Sequence, residues 1–197
     1  SIVEKISRQF RSKKELDLLN GPVGKNLFYL SLPVIVINLL QTAYNLADTF
    51  WLGQYSNAAL EAVTYAFPLV FFLISLGMGV AVAGSVLVAQ FEGSGNRKRR
   101  NYAASQTVMF SVLVSIFIGA LGYFFISDFV GLLGAQGAVA ASAASYLEVI
   151  SIGLFSMFGF FVFQSLMRGY GDTVTPMILM LGTVILNIAI DPLFIFG

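Results

Sequence analysis

Apolar residues fall in five long blocks separated by short polar stretches: Leu27–Leu52, Ala62–Gln90, Tyr102–Ile126, Ala138–Met167 and Pro176–Gly197. A bilayer core of about 30 Å takes roughly 20 helical residues, so each block is long enough to cross it. The second and fourth exceed that minimum and are expected to tilt or to project beyond the hydrocarbon. Gly21-Pro22 ends whatever precedes the first block, and Thr175-Pro176 reads as the N-cap and first-turn pair of the fifth. Residues 1–20 differ in kind: Ile2, Val3, Ile6 and Phe10 recur at helical spacing between basic residues. That is the pattern of a short amphipathic helix on an anionic membrane surface, and it needs no nucleic acid to explain it. The pattern predicts an all-α integral membrane protein, with an interfacial segment at 1–20 and a transmembrane bundle over 21–197.

Composition sharpens this reading. Apolar residues make up 57% of the 197 and charged residues 11%, against about 25% charged in a soluble domain. There is no Cys and no His, which removes disulfides, thiol nucleophiles, His acid/base catalysis and His/Cys metal sites. No enzyme chemistry or cofactor is expected. The charges are also sorted. Lys5, Arg8, Arg11, Lys13, Lys14 and Lys25 precede the first crossing, Arg97–Arg100 lie between the second and third, and Arg168 follows the fourth. All 11 basic residues therefore fall on one side, and the loops Gly53–Glu61 and Ser127–Gly137 carry none. The positive-inside rule makes that side, and the N-terminus, cytoplasmic.

Ionisable residues inside crossings are expensive and mark function. Glu92 abuts the basic loop and reads as a solvated helix end; Glu148 reads as an outer interfacial residue. Asp191 is different. It lies 15 residues beyond Pro176, about 22 Å along a helix rising 1.5 Å per residue, and so within the hydrocarbon. Asn187 is one turn earlier on the same face and Thr183 a turn before that. Pro192 removes a donor and frees the Ile188 carbonyl at the same depth. A carboxylate, an amide and a loose carbonyl suit a cation. On the first helix Asn38, Gln41, Asn45 and Asp48 follow 3–4–3 spacing, a stripe covering about 80° that Ser31 extends. Such a stripe suits a water-filled cavity or a partner helix. If Asp48 and Asp191 share a cavity, the pair can hold a proton, a sodium ion or a cationic substrate, but not all together.

Weaker patterns resolve otherwise. Gly169-Tyr-Gly171-Asp172 spells the GxGD of intramembrane aspartyl proteases but falls in a turn beside Arg168, with no Tyr-Asp partner elsewhere. Gly93-Ser-Gly95 lacks the Gly-Lys-Ser/Thr of a phosphate loop. Gly77, Gly79, Ala81, Ala83 and Gly84 read as one close-packing helix face. The Phe-rich run Phe155–Phe163 reads as lipid contact, bundle core or cavity lining.

Three stretches carry a resemblance. Pro33-Val-Ile-Val-Ile-Asn38-Leu-Leu-Gln41-Thr-Ala-Tyr44-Asn45-Leu-Ala-Asp48-Thr-Phe-Trp51-Leu-Gly53 resembles the first helix of multidrug and toxic compound extrusion (MATE) transporters. Arg168-Gly-Tyr-Gly-Asp172-Thr-Val-Thr-Pro176-Met resembles their loop between helices four and five. Asn187-Ile-Ala-Ile-Asp191-Pro192-Leu-Phe-Ile-Phe-Gly197 resembles their fifth helix. The resemblance implies five helices of a six-helix N-terminal bundle, within a twelve-helix antiporter of two such bundles around a cleft. It implies export of cationic amphipathic compounds in exchange for H+ or Na+, with Asp48 and Asp191 as the coupling pair and Asn187 beside them, also the place for Na+. By the same match Tyr44, Tyr146, Gln164 and Met180 would line the cavity, and Pro33 would be a helix kink. Pro33 itself frees the Tyr29 carbonyl and can bend its helix. The expected partners are the bilayer, cationic small molecules and the remaining helices of the same transporter, since a chain this short is expected to be a fragment. A flippase or exporter of lipid-linked precursors in the same superfamily is the alternative. Its phosphate-bearing cargo would call for cations inside a crossing, and none is present.

Overall fold

The structure is a computed structural model that describes residues 21–196; the amphipathic segment expected at 1–20 lies outside them. Five helices follow one another: α1 (Val23–Tyr55), α2 (Asn57–Gly93), α3 (Arg97–Leu132), α4 (Gly137–Gly169) and α5 (Val174–Phe196). All five are long and apolar enough to cross a membrane. Most run past the hydrophobic blocks, α3 by several residues at both ends. Hydropathy reports the depth of the hydrocarbon. A helix continues into the headgroup layer because its backbone hydrogen bonds stay internal there.

Local chemistry sets where the helices stop. At the end of α2, Asn96 N–H donates to the Phe91 carbonyl and Gly95 N–H to that of Glu92, with Gly95 at φ 70°. At the end of α4, Asp172 N–H donates to the Met167 carbonyl and Gly171 N–H to that of Arg168, with Gly171 at φ 83°. Both are Schellman caps that need a left-handed residue, which glycine supplies without strain. Helix α5 begins earlier than expected. Its cap is Asp172, whose Oδ1 accepts from the backbone N–H of Val174 and Thr175 at 3.1 and 3.0 Å. Thr175 is therefore not the N-cap but a first-turn residue, its hydroxyl donating to Asp172 Oδ2 at 2.6 Å. Pro176 follows in the first turn, where a missing N–H costs little.

The helices form two groups. In the first, α2, α3 and α4 pack closely together; in the second, α1 and α5 pair along their lengths, joined to the first mainly through α1 against α2. On α2 the buried residues are Ala62, Ala66, Val70, Leu73, Gly77, Ala81, Gly84 and Val88, every third or fourth position. This corrects the expected small-residue face: Gly77, Ala81 and Gly84 belong to it, whereas Gly79 and Ala83 are exposed. Gly77 seats the ring of Phe158, and Gly84 lies against Thr107 so closely that a Cβ would collide with it. Small side chains let helices approach where lipid offers no hydrophobic drive for association. The Phe-rich run of α4 divides between faces. Phe158 is in the core, Phe160 packs towards α1 and α5, Phe161 packs among Ala81, Val88 and Val162, and Phe155 is exposed. Outward-facing Phe124, Leu132 and Phe194 suit contact with lipid.

Candidate functional site

The site is built on the α1–α5 pair. Ile37 of α1 and Met180 and Val184 of α5 form an apolar plug, with Leu40, Tyr44, Phe160 and Met177 packed round it. On α5, Met180, Val184, Asn187 and Asp191 recur at spacings of four, three and four, so one face carries the plug and then the polar pair. On α1 the buried face runs through Asn26, Pro33 and Ile37 and continues to half-buried Tyr44 and Asp48. Polar groups thus follow one to two turns beyond Val184 on α5 and about three turns beyond Ile37 on α1.

Asn187 Nδ2 donates to Asp191 Oδ1 at 2.7 Å. Half-buried Asp48 of α1 lies near the Asp191 and Asn187 side chains. Half-buried Tyr44 lies in the neighbourhood of both acids and of Tyr146, and Tyr146 of α4 in that of Asp48. Two oxygens of the cluster, Asn187 Oδ1 and Asp191 Oδ2, are buried with no hydrogen-bond partner. An ionised carboxylate is an acceptor only. Two of them close together, with orphaned oxygens alongside, call for a proton or a cation to offset repulsion and lost hydration.

The other anticipated residues lie elsewhere. Asn38, Gln41 and Asn45 are exposed, and of the stripe Asp48, at its inner edge, is the half-buried member beside Asp191. Ser31 and Thr183 spend their hydroxyls on the carbonyls of Phe28 and Leu179. Met180 is 2% exposed within the plug and lies 11 residues before Asp191, about 16 Å along α5. Gln164 is buried on α4, 18 residues beyond Tyr146, about 27 Å along the axis. Pro33 is buried within an uninterrupted α1, and half-buried Pro192 sits beside Asp191. Met177 escaped the sequence reading, and Phe160 stood only within a run whose side of the helix was open, because an aromatic or a thioether in an apolar run carries no signal of its own. Glu92 is the exposed helix end that the sequence predicts, and its carboxylate pairs with Arg100.

The MatE family profile matches residues 33–193, most of the chain. The chain belongs to the MATE family. Among its relatives, the probable multidrug resistance protein NorM of Thermotoga maritima is 33% identical over 178 residues, covering 89% of this chain and 38% of that protein. The FAD transporter of Shewanella oneidensis is 29% identical over 180 residues, covering 91% and 40%. The solved structure of a MOP-superfamily transporter from Pyrococcus furiosus superposes with a TM-score of 0.87 at 29% identity, covering 93% of this chain and 41% of that one. The chain spans about 40% of the length of the curated relatives it matches. Its five helices correspond to the N-terminal portion of the MATE fold.

Proposed function

We propose that this MATE chain carries the ion-coupling site of a multidrug efflux antiporter that exports cationic amphipathic compounds in exchange for H+ or Na+. The observation that carries the reading is the convergence of Asp48 of α1 on the Asn187–Asp191 pair of α5, with two buried oxygens lacking any donor. A site of this kind takes one positive partner at a time. A cationic substrate, a proton and a sodium ion then compete for the same carboxylates, which is the physical basis of exchange. Asn187 orients Asp191 through its amide, and Tyr44 and Tyr146 border the acids with rings against which an amphipathic cation can pack. The remaining helices of the transporter complete the cleft. The FAD transporter among the relatives suggests a second, anionic class of cargo. Such cargo would meet acids on this part of the cavity and would need its cations from elsewhere in the protein.

Asp48→Asn and Asp191→Asn in the full transporter test the reading. Each is expected to abolish coupled efflux while the protein still reaches the membrane in normal amount. Wild-type efflux by a well-expressed Asp191→Asn variant would remove the acid pair from the mechanism. Transport in proteoliposomes with independently set proton and sodium gradients identifies the ion.

A further inference from the structure

We propose that Arg97, Lys98 and Arg99 form a docking corner for the phosphate-bearing headgroup of an anionic phospholipid. Four consecutive cations open α3, and the structure treats them differently. Arg100 turns inward: its guanidinium pairs with Glu92, bonds Asn101 Oδ1 at 3.0 and 3.1 Å and stacks 5.1 Å over the Tyr170 ring. It is satisfied within the protein. Arg97, Lys98 and Arg99 are exposed, and no carboxylate among the described residues pairs with them. The first turn of α3 contains no acid, and Glu92, the nearby candidate, is taken by Arg100. Three like charges on adjacent residues repel one another, so a multiply accepting anion is the group that offsets them.

Depth selects the anion. Tyr102, five residues into α3, is 68% exposed beside a helix long enough to span the membrane. An exposed tyrosine at a helix end marks the boundary between headgroups and acyl chains. The three cations sit just outside that boundary, at the level of lipid phosphates, where basic clusters gather anionic lipid. The turn before them is slight, with exposed Ser94 and Gly95 and open space around Gly95, so a headgroup can approach the corner unhindered. Asn96 Oδ1 already caps the Arg99 N–H at 3.1 Å. The side chains, rather than the backbone of the turn, are therefore what the lipid engages.

Hydrogen exchange tests this in the full transporter, reconstituted in nanodiscs of phosphatidylcholine with or without phosphatidylglycerol. The expected result is several-fold slower exchange across residues 93–101 when phosphatidylglycerol is present. The slowing should vanish in an R97Q/K98Q/R99Q variant and survive in R97K/R99K. Equal exchange of the wild type in both lipids would overturn the proposal, as would slowing that persists in the triple variant. Equivalent slowing by inorganic phosphate in pure phosphatidylcholine would assign the corner to free anions and overturn it too.

Discussion

Asn187 holds the candidate site together at the level of single atoms. Its amide donates to Asp191 at 2.7 Å beside Asp48, while its own oxygen is left without a donor. A hydrogen bond to a charged group contributes about 1.5–3 kcal/mol. Asn187→Ala is therefore expected to weaken the apparent affinity for the coupling ion by about tenfold or more, with expression unchanged; an unaltered ion dependence of transport would contradict this. The three residues at the centre were legible in sequence because a carboxylate or amide inside an apolar block is discordant. Tyr44 and Tyr146 were not legible from their own chemistry, since tyrosines are ordinary in membrane helices, and only the family resemblance pointed to them. The stripe on α1 shows a different limit. Counting 100° per residue gives the angle between Asn38 and Asp48 but not the direction of α5. That direction is fixed by the plug around Ile37, which leaves the outer part of the stripe exposed.

At the scale of helices, contact between neighbours separates residues that look alike in sequence. Gly79 and Gly84 both seemed to belong to one small-residue face. Around Gly79 there is open space, whereas a Cβ at Gly84 would collide with Thr107 of α3. Gly84→Leu is expected to destabilise the bundle by about 1–3 kcal/mol through overpacking, and Gly79→Leu to leave it nearly unchanged. Thermal unfolding of the two variants in detergent, side by side, measures the difference, and equal melting would refute the assigned packing. The α4–α5 turn makes a second case. Asp172 accepts two backbone N–H groups and a hydroxyl at the start of α5, so the GxGD pattern here is a helix cap followed through a left-handed glycine. Asp172→Ala should cost about 1 kcal/mol and appear as a lower melting temperature. Peptide cleavage that depended on Asp172 would restore the protease reading.

Across the whole molecule, direction in the membrane decides how the acid pair is reached. Asp48 lies seven residues before the end of α1 at Tyr55, about 10 Å along the axis, and Asp191 lies 17 residues beyond the start of α5 at Val174, about 26 Å from the basic face. Both sit towards the face opposite the basic residues. If the basic face is cytoplasmic, as the positive-inside rule requires, a coupling ion entering from outside has a short path to the carboxylates. On the proposed function, a substrate from the cytoplasm would have to pass the Ile37–Met180–Val184 cluster or go round it through a cleft completed by further helices. The absence of Cys from this chain allows a direct test, in a full transporter with any other cysteines replaced. Asn57→Cys, at the α1–α2 junction, and Gln136→Cys, before α4, should react on intact cells with a membrane-impermeant maleimide. Ser94→Cys, in the turn on the basic face, should react only after permeabilisation. The opposite labelling would place the basic face outside. The acid pair would then lie nearer the cytoplasm, and the short ion path would run from the wrong compartment for an inward ion gradient to drive export.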